Sequence, residues 1–80
     1  MIPLYGFLEG DTIGLLVLVE GDDSIAEIAR KLQTAARLRA AIEGPVTVLY
    51  DGQTLDPLTT VSDAGLQPLA RFDVRRGRPA

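Results

Sequence analysis

Hydrophobic positions follow two different periods along this chain. Two apolar stretches, Ile2 to Phe7 and Thr12 to Val19, flank Leu8-Glu9-Gly10-Asp11, and their β-branched content around a polar, glycine-containing connection predicts a hairpin. Pro3 has no N–H to give to a sheet ladder, so it is expected at the start of its strand or on a side without a partner. After the acidic loop Glu20-Gly21-Asp22-Asp23, the run Ser24-Ile25-Ala26-Glu27 has the spacing of a capping box. There the serine hydroxyl and the glutamate carboxylate satisfy reciprocal backbone N–H groups at a helix start. Ile25, Ile28, Ala29, Leu32, Ala35 and Ala36 recur at helical spacing and predict one buried face, with Glu27, Arg30, Lys31 and Gln33 mostly away from it. Acidic residues before the helix and Arg37 and Arg39 near its end suit the helix dipole.

Leu38 to Glu43 reads equally as helix or loop, but Gly44-Pro45 must end any helix, and Val46 to Tyr50 then alternates as a strand does. Asp51-Gly52 favours a tight type I′ turn, so Gln53-Thr54-Leu55 is expected as a short return strand. Asp56-Pro57-Leu58 reads as a loop and Thr59 to Leu66 as an irregular stretch with a helical turn near Ser62. Gln67-Pro68 then turns the chain into a last strand, Arg71 to Arg75. In that strand Phe72 and Val74 face one way, and Arg71, Asp73 and Arg75 the other. The order β, β, α, β, β, β implies a two-layer α+β domain, because a single helix must cover one face of one sheet. The β-grasp has this order: a mixed sheet of four to five strands packed on one helix, with the first and last strands side by side in parallel. Residues 1–80 are expected to form this single ubiquitin-like domain, with 76–80 a flexible basic tail.

The second strand departs from simple alternation, being apolar on both faces from Leu15 onward. If Ile13, Leu15, Val17 and Val19 face the helix, Leu16 and Leu18 face outward. The opposite register would place Thr12 and Gly14 in the core. The same alternation points Leu49 outward from the third strand. Leu16, Leu18 and Leu49 are therefore the candidate partner-docking residues, weighed against the ordinary scatter of apolar side chains on a surface.

Composition narrows the function. With 80 residues, 46% hydrophobic and only 5% aromatic, one small core must be built from aliphatic side chains. A net charge of -3 argues against nucleic-acid or anionic-membrane binding, although acidic residues dominate before Arg30 and Arg71, Arg75, Arg76 and Arg78 make the end basic. The absence of cysteine and histidine removes thiolate chemistry, the usual zinc ligand and the usual general base together. Neither Ser24 nor Ser62 can belong to a usual triad, and Asp22-Asp23 lacks the spacing and distal glutamate of a calcium loop. No catalytic, cofactor-binding or metal site is expected. The N-terminus lacks a basic signal region and the run Ile13 to Val19 is too short to span a bilayer, so the expected location is cytoplasmic.

Glu9-Gly10-Asp11, the apolar second strand, Asp23-Ser24, Glu43-Gly44, Leu55-Asp56-Pro57, and above all Ser62-Asp63-Ala64-Gly65-Leu66-Gln67-Pro68 followed by Phe72-Asp73-Val74 carry a resemblance. In these the chain resembles the small B (γ) subunits of toluene monooxygenases over almost its whole length. The resemblance implies a ubiquitin-like accessory subunit that docks on the larger subunit of a bacterial diiron hydroxylase, which holds the iron and performs the oxygen chemistry. A free-standing ubiquitin-like adaptor is the alternative. A ubiquitin-type modifier or sulfur carrier is disfavoured, because only Gly77 stands where a terminal Gly-Gly is needed.

Overall fold

In the computed structural model, which describes residues 1–77, β1 (Ile2–Leu8) and β2 (Leu15–Val19) form the expected hairpin. The second strand begins at Leu15 rather than Thr12. Asp11 closes a turn on Leu8 through its N–H (2.9 Å) and accepts from the Thr12 N–H through its side chain (2.8 Å), which holds Thr12 outside the ladder. Ile13, expected to face the helix, is accordingly 49% exposed. Pro3 O accepts from Leu69 N–H at 2.6 Å, so the proline nitrogen faces that same side, where the next ladder starts only at Tyr5. The missing donor is thus never needed.

The remaining elements are α1 (Ile25–Ala36), β3 (Val46–Tyr50), β4 (Gln53–Thr54), the four-residue α2 (Val61–Ala64) and β5 (Arg71–Arg76). They form a five-stranded mixed sheet in the order β2-β1-β5-β3-β4, with β5 parallel to β1 and antiparallel to β3. This is the β-grasp arrangement. The β3–β4 hairpin turns on Asp51 (φ 53°) and Gly52 (φ 77°), both left-handed as a type I′ turn requires. β5 takes in Arg76, which pairs with Val46, and the Gly77 N–H reaches Pro45 O at 2.9 Å. The first residues assigned to a basic tail are therefore held in or beside the sheet, and residues 78–80 lie outside the described residues.

Helix α1 starts at Ser24, whose hydroxyl accepts from Glu27 N–H at 3.1 Å. The reciprocal half of the capping box does not form: Glu27 Oε1 receives the Ser24 hydroxyl at 3.4 Å, while the backbone around Ser24 is drawn into a bridge with Thr60. Arg37 and Arg39 follow the helix rather than sitting in its last turn. Ile25, Ile28, Ala29, Leu32 and Ala36 are buried as expected, but Ala35 is exposed. At roughly 100° per residue Ala35 falls just past Ile28, on the rim of the apolar arc.

The core lies between α1 and one face of the sheet, around Leu4, Val19, Ile28, Leu32, Phe72 and Val74, all at most 1% exposed. Gly6 marks the closest approach. A Cβ there would come within 2.8 Å of Leu32 and 2.9 Å of Phe72. The chain enters β5 through a turn closed by Ala70 N–H to Gln67 O (3.0 Å), with Pro68 at its second position and Leu69 (φ 68°) at its third. A turn of this kind, type II, ordinarily carries glycine at that third position.

Candidate functional site

The sheet face turned away from α1 is not covered by any other element among the described residues. The core-side burial of Val17 (6% exposed) and Val19 (1%) decides the register of β2, and Leu16 (54%) and Leu18 (51%) point outward. Across the ladder Leu16 stands opposite Tyr5 and Leu18 opposite Pro3. Tyr5 is 43% exposed, so this edge of the face is apolar and open.

Leu49 does not join it. It faces Asp73 across the β3–β5 ladder, and β3 is separated from β2 by both β5 and β1. At about 4.8 Å per strand the two leucine positions are about 14 Å apart. Leu49 is only partly exposed and lines a shallow concavity of about 660 Å³ together with Asp51, Arg71, Asp73 and Arg75.

Between the two sites stands a polar ridge that the fold itself satisfies. The Phe7 ring covers Gly14, where a Cβ would meet it at 2.5 Å, and the Arg71 guanidinium lies 4.0 Å from the ring centroid. Arg71 also donates through Nε and a terminal nitrogen to the two Asp73 carboxylate oxygens at 3.0 and 3.2 Å. The Asp73 carboxylate holds the Arg71 pKa above its ordinary value. These groups are engaged with one another, although the Arg71 side chain remains 62% exposed.

Sequence reasoning missed Tyr5, Phe7 and Leu69. Tyr5 and Phe7 alternate with Leu4, Gly6 and Leu8 and were legible as outward residues of the first strand; the acidic loop and the leucines of the second strand drew attention instead. Leu69 is 58% exposed beside Pro3, and its signal was the Pro-Leu pair where a turn prefers Pro-Gly.

At the free edge of β2, Lys31 Nζ reaches from α1 to Leu18 O (3.4 Å) and to Asp23 Oδ2 (2.9 Å). Asp23 also accepts from Glu20 N–H at 2.9 Å, and this backbone hydrogen bond followed by the Lys31 contact holds its carboxyl below the ordinary range. Asp11, its side chain 3% exposed, takes two hydrogen bonds from Arg39, the shorter at 2.8 Å, and the Arg39 guanidinium depresses its pKa. Asp23 ties its loop to the helix, and Asp11 ties the β1–β2 connection to the segment that follows the helix. No group of three or more His, Cys, Asp or Glu among the described residues is placed to hold a metal ion, and no helix there is long and apolar enough to cross a membrane.

The family model for toluene-4-monooxygenase system protein B (TmoB) matches residues 1–75. One chain of the solved toluene 4-monooxygenase HD complex with the inhibitor 4-bromobenzoate is 26% identical. The match covers 95% of this chain and 98% of that one, at a TM-score of 0.86. A ubiquitin of Caldiarchaeum subterraneum, 13% identical, matches over 99% of this chain and 96% of its own at a TM-score of 0.75. A chain from a structure concerning molecular mimicry of SUMO in DNA repair, 16% identical, matches over 91% and 88% at 0.76. These last two show the fold alone. No curated protein sequence matches.

Proposed function

This chain belongs to the toluene-4-monooxygenase system protein B family, and on that premise we propose that it is a non-catalytic accessory subunit of a bacterial multicomponent diiron aromatic monooxygenase. It binds the larger hydroxylase subunit, which carries the iron and the oxygen chemistry. The observation that carries this reading is the family match over residues 1–75, joined to the likeness to a chain of a toluene 4-monooxygenase complex. The chemistry of the sequence is compatible with it: without histidine or cysteine the usual general base and the usual iron or zinc ligands other than carboxylates are missing from this subunit. A subunit of this kind works in the cytoplasm, alongside the soluble complex it completes.

Docking runs through the outer sheet face, with Leu16 and Leu18 as the apolar contact and Leu49 in the neighbouring concavity. Full burial of a leucine contributes about 1.5 to 3 kcal/mol, and Leu16 and Leu18 are already half covered, so they anchor only part of a larger interface. A standard interface of about 800 Å² per partner would take up a sixth of the 5010 Å² surface. The test is co-expression of tagged chain with the large hydroxylase subunit. Co-purification of wild type and its loss in the Leu16→Ser, Leu18→Ser double variant are expected. A double variant that still co-purifies, folded and in equal amount, would move the interface elsewhere.

The fold is shared with ubiquitins, but the residues around Gly77 are built into the domain: Arg76 N–H is held by Glu9 Oε1 at 2.6 Å and Gly77 N–H by Pro45 O at 2.9 Å, and Arg78 rather than a second glycine follows Gly77.

A further inference from the structure

We infer that Leu69 is a contact residue for the large hydroxylase subunit, extending the docking edge across β1 to the turn that leads into β5. The inference rests on the docking reading above and goes beyond it in naming a residue that is disfavoured by its own backbone.

Leu69 has φ 68°, at the turn position where glycine or asparagine is the unstrained choice. A leucine there is disfavoured by the clash of its Cβ with the backbone, and this is the place for an L-residue only when something else over-determines it. Burial does not, because the side chain is 58% exposed. The main-chain contacts do not either: its N–H bonds Pro3 O at 2.6 Å, a bond that any residue but proline could make. What remains is the side chain itself, offered to solvent in the isolated chain.

Its place beside the sheet gives it company. The hydrogen bond sets the Leu69 backbone next to Pro3, and Pro3 stands opposite Leu18, so Leu18, Pro3 and Leu69 succeed one another from β2 across β1 to the turn. The adjacent row is Leu16, Tyr5 and Arg71. Leu38 and Leu58 are more exposed still, at 94% and 86%, but neither is hydrogen-bonded to β1 as Leu69 is, and neither has a positive φ. The occupant is the large subunit rather than a second copy, because the family match over residues 1–75 and the 26% identical chain of a hydroxylase complex both point to a hydroxylase as the partner.

The experiment compares Leu69→Gly and Leu69→Asn with wild type in two readouts: thermal unfolding of the chain alone, and titration against the purified large subunit. Unfolding midpoints equal to or above wild type are expected, with affinity weakened about tenfold, as for loss of a half-buried leucine contact. Leu58→Ser serves as the off-patch control and should bind as wild type does. If wild type binds and both Leu69 variants bind equally well, this inference falls while the accessory-subunit reading stands. Lower midpoints in both variants would assign Leu69 to the fold instead and overturn it too. An equal loss of binding in the Leu58 control would do the same, as would a wild-type dimer dissolved by Leu69→Gly. A wild-type chain that fails to bind the large subunit overturns both.

Discussion

Gly6 shows how little slack the core has. It lies at the centre of β1, under Leu32 of the helix and beside the Phe72 ring, with no room for one further carbon. Gly6→Ala is expected to destabilise by about 1 to 3 kcal/mol, since neither neighbour can move without disturbing others in a small aliphatic core. Thermal unfolding would show this as a midpoint lowered by about 4 to 8 °C per kcal/mol, and an unchanged midpoint would mean the helix can lift off the sheet more easily than its packing indicates. Alternation alone placed Gly6 on the inner face. The sequence could not say that a helix crosses directly above it, because that contact joins residues far apart in the chain.

At the scale of single elements, local chemistry was the most readable. The Asp51-Gly52 turn, the serine cap of α1 and the helical turn at Ser62 each follow from a few adjacent residues, and each is in the structure. Ser24→Ala should therefore cost about 1 kcal/mol, the usual worth of a cap, with the loss visible in chemical denaturation at unchanged m-value. A variant as stable as wild type would mean that the Ser24–Thr60 bridge alone fixes the helix start. The elements misjudged were those that depend on what lies across from them. Thr12 to Gly14 are apolar enough for a strand but are tied up by Asp11 and Phe7, and Ala35 has helical spacing but no sheet beneath it. Leu16 and Leu18 face outward in one of the two registers that the pattern left open, and Leu49 faces outward too, yet strand order decides whether outward residues are neighbours, and the insertion of β1 and β5 between them is a property of topology rather than of local pattern.

For the molecule as a whole, electrostatics set the conditions under which it holds together. Histidine, the side chain with an ordinary pKa between 5 and 8, is absent, so stability should be nearly flat across that interval. Asp11 and Asp23 both have folded-state pKa values below their ordinary 3.8. Their contribution is thus fully present above pH 3.8 and is lost as pH falls through the lower folded values. Unfolding midpoints measured from pH 8 downward should hold steady to about pH 4 and then drop, and Asp11→Asn should flatten the drop while lowering the plateau. A decline beginning near pH 6 would require a titrating group that these contacts do not supply.

The parallel pairing of β1 with β5 was legible from the element order, and it governs when the domain can first exist during its own synthesis. The strand at the middle of the sheet is the last of the five to be translated. Until Phe72 and Val74 have left the ribosome, the two hairpins have nothing between them, and a lone hairpin is marginal in water. Folding therefore waits for β5, and a product cut short before Phe72 leaves its apolar strands open to proteases. Such a truncated copy never acquires the continuous outer sheet face, so only chains translated past β5 present it to anything.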